Sequence, residues 1–84
     1  MASGTIRYWA AARAEAGTPE EPFVGDTLGD VLSVARAGRG PAFSRVLAHC
    51  TFLVDGVRSG PATPLVDGGV IEVLPPFAGG SGQV

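Results

Sequence analysis

The chain has 84 residues, which limits it to one domain with a single small hydrophobic core. Hydrophobic residues make up 45% of the chain and charged residues 17%, a balance that excludes a disordered chain. The net charge is −2, so the chain lacks the basic surface of a nucleic-acid binder. One cysteine and one histidine exclude a disulfide framework and a cysteine-ligated metal site, and no apolar stretch is long enough to span a bilayer. The first residues lack the pattern of a signal peptide, so we expect a cytoplasmic protein that binds no metal, membrane or nucleic acid.

The first third of the chain predicts a β-hairpin with a short element between its strands. Residues 5–10 (TIRYWA) alternate in polarity and predict a strand with Ile6, Tyr8 and Ala10 on one face. Residues 10–16 are rich in alanine, which favours a short helix or a turn. Residues 20–24 (EEPFV) predict a second strand, placed at a sheet edge because Pro22 has no backbone N–H to donate.

Residues 27–37 contain the clearest helical pattern of the sequence. Four apolar side chains recur at positions i, i+3, i+4 and i+7 and form one stripe: Leu28, Val31, Leu32 and Ala35. Thr27 and Asp30 resemble a capping box at the start, and Gly38 is a typical stop. This segment is therefore the predicted main helix.

The second half of the chain predicts a second short helix and three further strands. Residues 41–47 place apolar side chains at helical spacing, and residues 51–54 (TFLV) predict a strand. The Asp55-Gly56 pair predicts a hairpin, residues 65–66 a brief strand or bridge, and residues 70–74 (VIEVL) the strongest strand. The order β-β-α-(α)-β-β-β predicts an α+β roll, in which one main helix packs across a mixed sheet.

The side chains that most often carry catalysis have little support as a site in this sequence. His49 and Cys50 are adjacent, and if they lie on a strand they point to opposite faces. We therefore interpret Cys50 as a structural residue, since a free cysteine behaves as a small hydrophobic side chain.

The C-terminal segment has the features of a projecting arm. After the last predicted strand come, in order, Pro75, Pro76, Phe77, Ala78, Gly79 and Gly80. Those six residues reach up to roughly 20 Å when extended, and glycines without a Cβ thread a narrow channel. A glycine carboxylate is also sterically open to attack. The alternative is that the glycine-rich end is inert, as many frayed termini are.

Four stretches of the chain resemble the MoaD/ThiS family of ubiquitin-like sulfur carriers, and within it the small subunits of molybdopterin synthase. They are residues 6–17 (IRYWAAARAEAG), 27–32 (TLGDVL), 52–56 (FLVDG) and 65–80 (LVDGGVIEVLPPFAGG). The last stretch is the specific one, and the resemblance covers residues 5–80. It implies a β-grasp (ubiquitin-like) domain over residues 1–76, followed by a flexible arm over residues 77–84.

The resemblance also implies a mechanism that takes place largely on partner proteins. An E1-like adenylyltransferase of the MoeB/ThiF type would use ATP to adenylate Gly80, and a sulfurtransferase would supply sulfur for a thiocarboxylate. In molybdopterin synthase the arm enters the large subunit (MoaE type) and gives sulfur to cyclic pyranopterin monophosphate. The chain itself would be non-catalytic and would hold no cofactor.

The same resemblance assigns roles to individual positions of this sequence. Gly80 would carry the acyl-adenylate and the thiocarboxylate, and Gly79 would keep the arm thin. The residues that would contact the partner are Pro75, Pro76, Phe77 and Ala78. Phe52 would either lie on an exposed sheet face and contact the partner or belong to the core.

Two departures from the family pattern leave alternatives open. The chain continues with four residues after Gly80, so we expect a C-terminal peptidase to remove residues 81–84, unless the chain is a carrier that is locked off or diverged. Gly69 and Val70 stand where the family has an acidic pair. The sulfur acceptor could instead belong to thiamine, cysteine or secondary-metabolite synthesis. The chain could also be a ubiquitin-like protein modifier, or an interaction module with an inert tail.

Overall fold

The computed structural model describes residues 1–76, in which a five-stranded sheet carries three helices. The strands are β1 (Ala2–Tyr8), β2 (Glu20–Gly25), β3 (Thr51–Val54), β4 (Val57–Arg58) and β5 (Gly69–Leu74). Their spatial order is β2-β1-β5-β3-β4. The central pair, β1 and β5, is parallel and the other neighbouring pairs are antiparallel. The predicted α+β roll with a mixed sheet is confirmed.

The helices are α1 (Ala10–Ala16), α2 (Leu28–Ala37) and α3 (Pro41–Leu47). The predicted stripe of α2 is buried, and the Thr27 hydroxyl accepts a hydrogen bond of 3.2 Å from the Asp30 backbone N–H. The core between helices and sheet includes the most deeply buried large side chains: Ile6, Tyr8, Leu28, Phe43, Ile71 and Val73. None of the helices in residues 1–76 is long and apolar enough to cross a membrane.

The predicted hairpin at Asp55-Gly56 is confirmed, and it is hydrogen-bonded to the start of β5. Both residues have positive φ angles, 50° and 82°, as a tight two-residue turn between antiparallel strands requires. The Asp55 backbone N–H donates to the Val70 carbonyl, and the Val70 N–H donates to the Asp55 carboxylate, each at 2.8 Å. The turn therefore fixes the register between β3 and β5.

Three sequence expectations need correction. β1 begins at Ala2, because residues 2–4 pair with β2 and Gly4 also pairs with β5. Ala10 begins α1 instead of continuing the strand face. The bridge expected at residues 65–66 joins Thr27 to Pro64.

His49 and Cys50 do not lie on a strand. They follow α3 and precede β3, and the Cys50 thiol donates a hydrogen bond to the Val46 carbonyl at 3.2 Å. Burial raises the pKa of that half-buried thiol, which suits a structural residue.

Candidate functional site

The sheet has one face covered by helices and one face open. Residues opposite one another in the register share a face, so the pairs Ile6–Ile71 and Val54–Ile71 lie on the covered side. The alternate residues make up the open sheet face. Its members include Thr5, Arg7, Trp9, Pro22, Val24, Leu53, Val70, Glu72 and Leu74. Every one of these side chains is at least partly accessible.

The open sheet face combines a partly apolar centre with a charged margin. Val70, Leu53 and Leu74 are half-buried near its centre, while Trp9 is 41% exposed at the end of β1. Arg7 and Glu20 form an ion pair of 3.6 Å at one side, with both side chains about half exposed. An apolar centre with a polar rim is typical of a non-obligate protein interface.

The arm leaves the sheet beside this face. β5 is the middle strand, and it ends at Leu74. Pro75 is buried and Pro76 is exposed, so the double proline begins in the body of the protein and reaches its surface at Pro76. The Trp9 backbone N–H donates to the Val73 carbonyl at 3.2 Å, which fixes Trp9 next to the strand end. The other predicted arm residues, Phe77, Ala78, Gly79 and Gly80, lie outside the described residues.

Phe52 does not lie on the open sheet face. It is opposite Val73 in the register, and Val73 is fully buried under the helices. The half-buried Phe52 ring packs against the core cluster, so the alternative that placed it among core residues is the one its position favours. The sequence left the two placements of Phe52 open because a strand of four residues gives too few alternations to fix which face is covered.

Trp9 is a residue of this surface that the sequence placed opposite Ile6 and Tyr8 but did not single out as a partner contact. Tryptophan is enriched among the residues that dominate binding energy at interfaces. The signal was present, since Trp9 continues the odd-numbered face of β1, opposite to Ile6 and Tyr8. What the sequence did not reveal is the parallel pairing of β1 with β5, which brings Trp9 to the start of the arm.

The chemistry available on the described body is limited. Within residues 1–76, no three His, Cys, Asp or Glu side chains come together in a way that could hold a metal ion. The most polar cluster, formed by Tyr8, Glu21 and Arg39, lies on the helix side of the sheet and links structural elements. What the described body offers is the open sheet face and the central strand β5, which ends at Leu74 on that face.

Similar solved structures have the same architecture. The small archaeal modifier protein 1 of Methanosarcina acetivorans is 29% identical with a TM-score of 0.82, and the alignment covers 94% of this chain and 97% of that protein. The small archaeal modifier protein 1 of Haloferax volcanii is 26% identical with a TM-score of 0.77, with coverage of 92% and 98%. Subunit 1 of the molybdopterin-converting factor of Helicobacter pylori, solved in complex with subunit 2, is 20% identical with a TM-score of 0.67 and coverage of 89% and 95%.

No family model matches the chain, and no curated protein matches it by sequence. The structural matches confirm the predicted β-grasp fold and the predicted resemblance to the MoaD/ThiS family of ubiquitin-like sulfur carriers. The Helicobacter protein contributes a likeness of fold alone.

Proposed function

We propose that this chain is a sulfur carrier whose reacting group is the carboxylate of Gly80. The observation that carries the proposal is where the described chain ends: the central strand β5 ends at Leu74 on the open sheet face, next to the hydrogen bond between Trp9 and Val73, and Pro75 and Pro76 follow it. A partner that docks on this face would receive the arm at a fixed place. The two glycines would then enter its active site, because a chain without Cβ atoms fits a narrow channel.

The reaction needs activation because a carboxylate is a poor electrophile. In the proposed sequence a peptidase first removes residues 81–84, which exposes the Gly80 carboxylate. An E1-like adenylyltransferase joins this carboxylate to the α-phosphate of ATP and releases pyrophosphate. The terminal sulfur of a sulfurtransferase persulfide then displaces AMP, and a thiol cleaves the resulting acyl disulfide to free the thiocarboxylate.

The acceptor that we propose is cyclic pyranopterin monophosphate, held by a molybdopterin synthase large subunit. The closing sequence motif supports this branch, and the Helicobacter protein of the same fold is solved with the second subunit of its converting factor. In this account the chain contributes the sulfur and the docking surface, and the large subunit contributes the catalytic site.

A second candidate is a ubiquitin-like protein modifier. It is favoured by the two archaeal structures, both of which are named modifier proteins and are the more similar in sequence. Both functions start from an acyl-adenylate at Gly80. Attack on it by a sulfur nucleophile would produce the thiocarboxylate of a carrier, and attack by a lysine of a target protein would produce a conjugate. The chain has no lysine, so it could not receive such a linkage on one of its own side chains.

The test is a reconstitution with two forms of the chain, residues 1–80 and residues 1–84. Each is mixed with the activating enzyme, ATP and a sulfurtransferase charged as a persulfide, and its intact mass is measured. We expect the shorter form to exchange one oxygen for sulfur and the longer form to stay unchanged. Failure of the shorter form to gain sulfur, while it forms conjugates with lysines of other proteins, would favour the modifier. Failure to form an adenylate at all would reject both functions.

A further inference from the structure

A carboxylate lies at the centre of the open sheet face, that of Glu72 on the middle strand β5. In the sheet register Glu72 is opposite Arg7 of β1 and Leu53 of β3, and its side chain is half-buried. Its neighbours on the same face of β5 are Val70 and Leu74, which are both apolar and half-buried. The middle of the face therefore places a negative charge among apolar side chains.

The sheet does not supply a full charge partner for Glu72. Arg7 stands between two acidic residues in the register, Glu20 of β2 and Glu72 of β5. Its Nε atom lies 3.6 Å from the Glu20 carboxylate, whereas among residues 1–76 Glu72 forms no ion pair with any cation. One guanidinium facing two carboxylates leaves an excess of negative charge at this place.

A protein that covers the open sheet face has to balance the charge of Glu72. Binding removes water from the centre of an interface, and an ionised carboxylate enclosed there without a partner is costly. In the free chain the accessible part of the Glu72 side chain is still solvated. The carboxylate therefore opposes docking of a purely apolar surface and favours one that brings a cation to it.

We propose that Glu72 selects the partner of the open sheet face, and that this partner is a protein surface with an arginine or lysine set among apolar side chains. Arginine is the better fit, because its planar guanidinium binds a carboxylate through two parallel hydrogen bonds. The proposal deepens the proposed function and rests on it, since it names the chemistry by which the partner of the carrier recognises this face.

Arg58 marks a second point on the same partner. It is opposite Leu53 in the register, so it shares the face with Glu72, and it is exposed at the edge strand β4. Strand β3 lies between β4 and β5, so the two charged residues are two strand spacings apart, about 10 Å. The partner should therefore have an acidic side chain about 10 Å from its cation. This outer pair contributes less than the central one, because solvent screens it.

The test is a calorimetric titration of the 84-residue chain with the purified activating enzyme. Glu72→Gln should weaken binding roughly 30-fold, because the partner's cation loses its charge partner inside the interface, and Glu72→Arg should weaken it further. Glu15→Gln and Glu15→Arg make the same changes at an exposed position of α1, on the helix side of the sheet, and should alter Kd by less than about twofold. Circular dichroism confirms that each variant is folded.

Charge reversal on the partner identifies the residue that meets Glu72. Each surface arginine and lysine of the activating enzyme is changed to glutamate, and each variant is titrated with the unmodified chain and with Glu72→Arg. One reversal should weaken binding of the unmodified chain and strengthen binding of Glu72→Arg by about tenfold or more, as direct contact between the two positions requires.

The proposal is overturned if the unmodified chain binds and the Glu72 variants bind equally well, if the Glu15 variants lose as much affinity, or if no reversal on the partner restores Glu72→Arg. Gain of sulfur by the form with residues 1–80 would support the proposed function in all three cases. Absence of binding by the unmodified chain would reject the docking face itself. Sedimentation of the chain alone tests a last outcome: a dimer that Glu72→Gln dissociates would assign the face to a second copy and overturn the proposal.

Discussion

Arg39 and Glu21 form an ion pair of 3.1 Å that joins the loop after α2 to strand β2. The Arg39 guanidinium also donates to the carbonyl oxygens of Ala16 and Ala35, and it lies 4.9 Å from the centre of the Phe43 ring. The Glu21 carboxylate accepts a second hydrogen bond, of 2.5 Å, from the Tyr8 hydroxyl. One arginine thus contacts α1, α2, α3 and the sheet.

Replacing Glu21 with glutamine should destabilise the protein by about 1–3 kcal/mol at neutral pH, because Arg39 would lose its charge partner in a largely enclosed site. The side chains of Arg39 and Glu21 are only 20% and 28% exposed, so solvent screens the pair incompletely. Urea unfolding at pH 7 measures the effect. Glu20→Gln is the matched control, since its ion pair with Arg7 is about half exposed and should contribute less than about 1 kcal/mol.

The same carboxylate should give the protein an acid-sensitive stability. Burial alone would raise the pKa of Glu21, but the hydrogen bonds from Arg39 and Tyr8 and the charge of Arg39 together hold it below its usual range. A carboxyl group whose pKa is lower in the folded than in the unfolded protein stabilises the fold at pH values above its unfolded pKa, about 4.3. This stabilisation is lost as the pH falls through the folded pKa. Glu21→Gln should remove that part of the pH dependence. An unchanged slope between pH 5 and acid unfolding would contradict this assignment.

Tyr8 should resist ionisation for as long as the protein stays folded. Burial is the main cause that raises its pKa, and the neighbouring Glu21 carboxylate raises it further. Because the pKa of Tyr8 is higher in the folded than in the unfolded protein, its contribution to stability is complete at pH values below the unfolded pKa, about 10. The contribution falls as the pH rises above that value. Tyr8 is the only tyrosine, so the ultraviolet absorbance of tyrosinate reports this one residue.

We expect tyrosinate absorbance to rise only when circular dichroism shows unfolding in alkali, and the variant Tyr8→Phe to lose this part of the alkaline sensitivity. Tyrosinate formation at about pH 10 with the fold intact would show that the ring is accessible and the hydrogen bond to Glu21 weak.

Gly4 should not tolerate a side chain. A Cβ at this position would lie 2.2 Å from the Gly69 carbonyl oxygen and 2.7 Å from the Phe23 ring, where the central strands meet. Gly4→Ala should therefore cost about 1–3 kcal/mol or more, since overpacked atoms must displace backbone. Gly38→Ala is the control, because no atom lies within 4 Å of its Cβ position and its φ of −95° suits any residue. Equal stability of the two variants in thermal or urea unfolding would refute the close approach of β1 and β5.

Trp9 should dominate the affinity of the open sheet face for its partner. If the chain is a carrier or a modifier, Trp9→Ala should weaken binding to the purified activating enzyme by about 2 kcal/mol, or roughly 30-fold in Kd. Val34→Ala is the control, since Val34 is a 71% exposed side chain on α2, on the other side of the sheet. Calorimetric titration measures both, with circular dichroism to confirm folding. Equal losses from the two variants, or none from Trp9→Ala, would place the interface elsewhere.

The sequence predicted the elements that depend on local patterns. The apolar stripe of α2, the cap at Thr27 and the Asp55-Gly56 turn are all where their spacing places them. Each of these features is determined by residues that are close together in the sequence, so it can be predicted without knowing the fold.

The features that the sequence did not predict depend on contacts between residues that are far apart in the sequence. Arg39 and Glu21 are 18 positions apart, and nothing in either local pattern indicates the pair. The face occupied by Phe52 and the exposure of Trp9 depend on β5 pairing with β3 on one side and with β1 on the other. Pairing of this kind is decided by how the whole sheet packs against its helices, which alternation within one strand does not reveal.

The measurement that tests the central claim most directly is the intact mass of this protein purified from its native host during growth with ample sulfur. The account predicts a chain that has lost residues 81–84 and has exchanged one oxygen of the Gly80 carboxylate for sulfur. A chain that keeps all 84 residues and carries no sulfur under these conditions would contradict Gly80 as the working terminus.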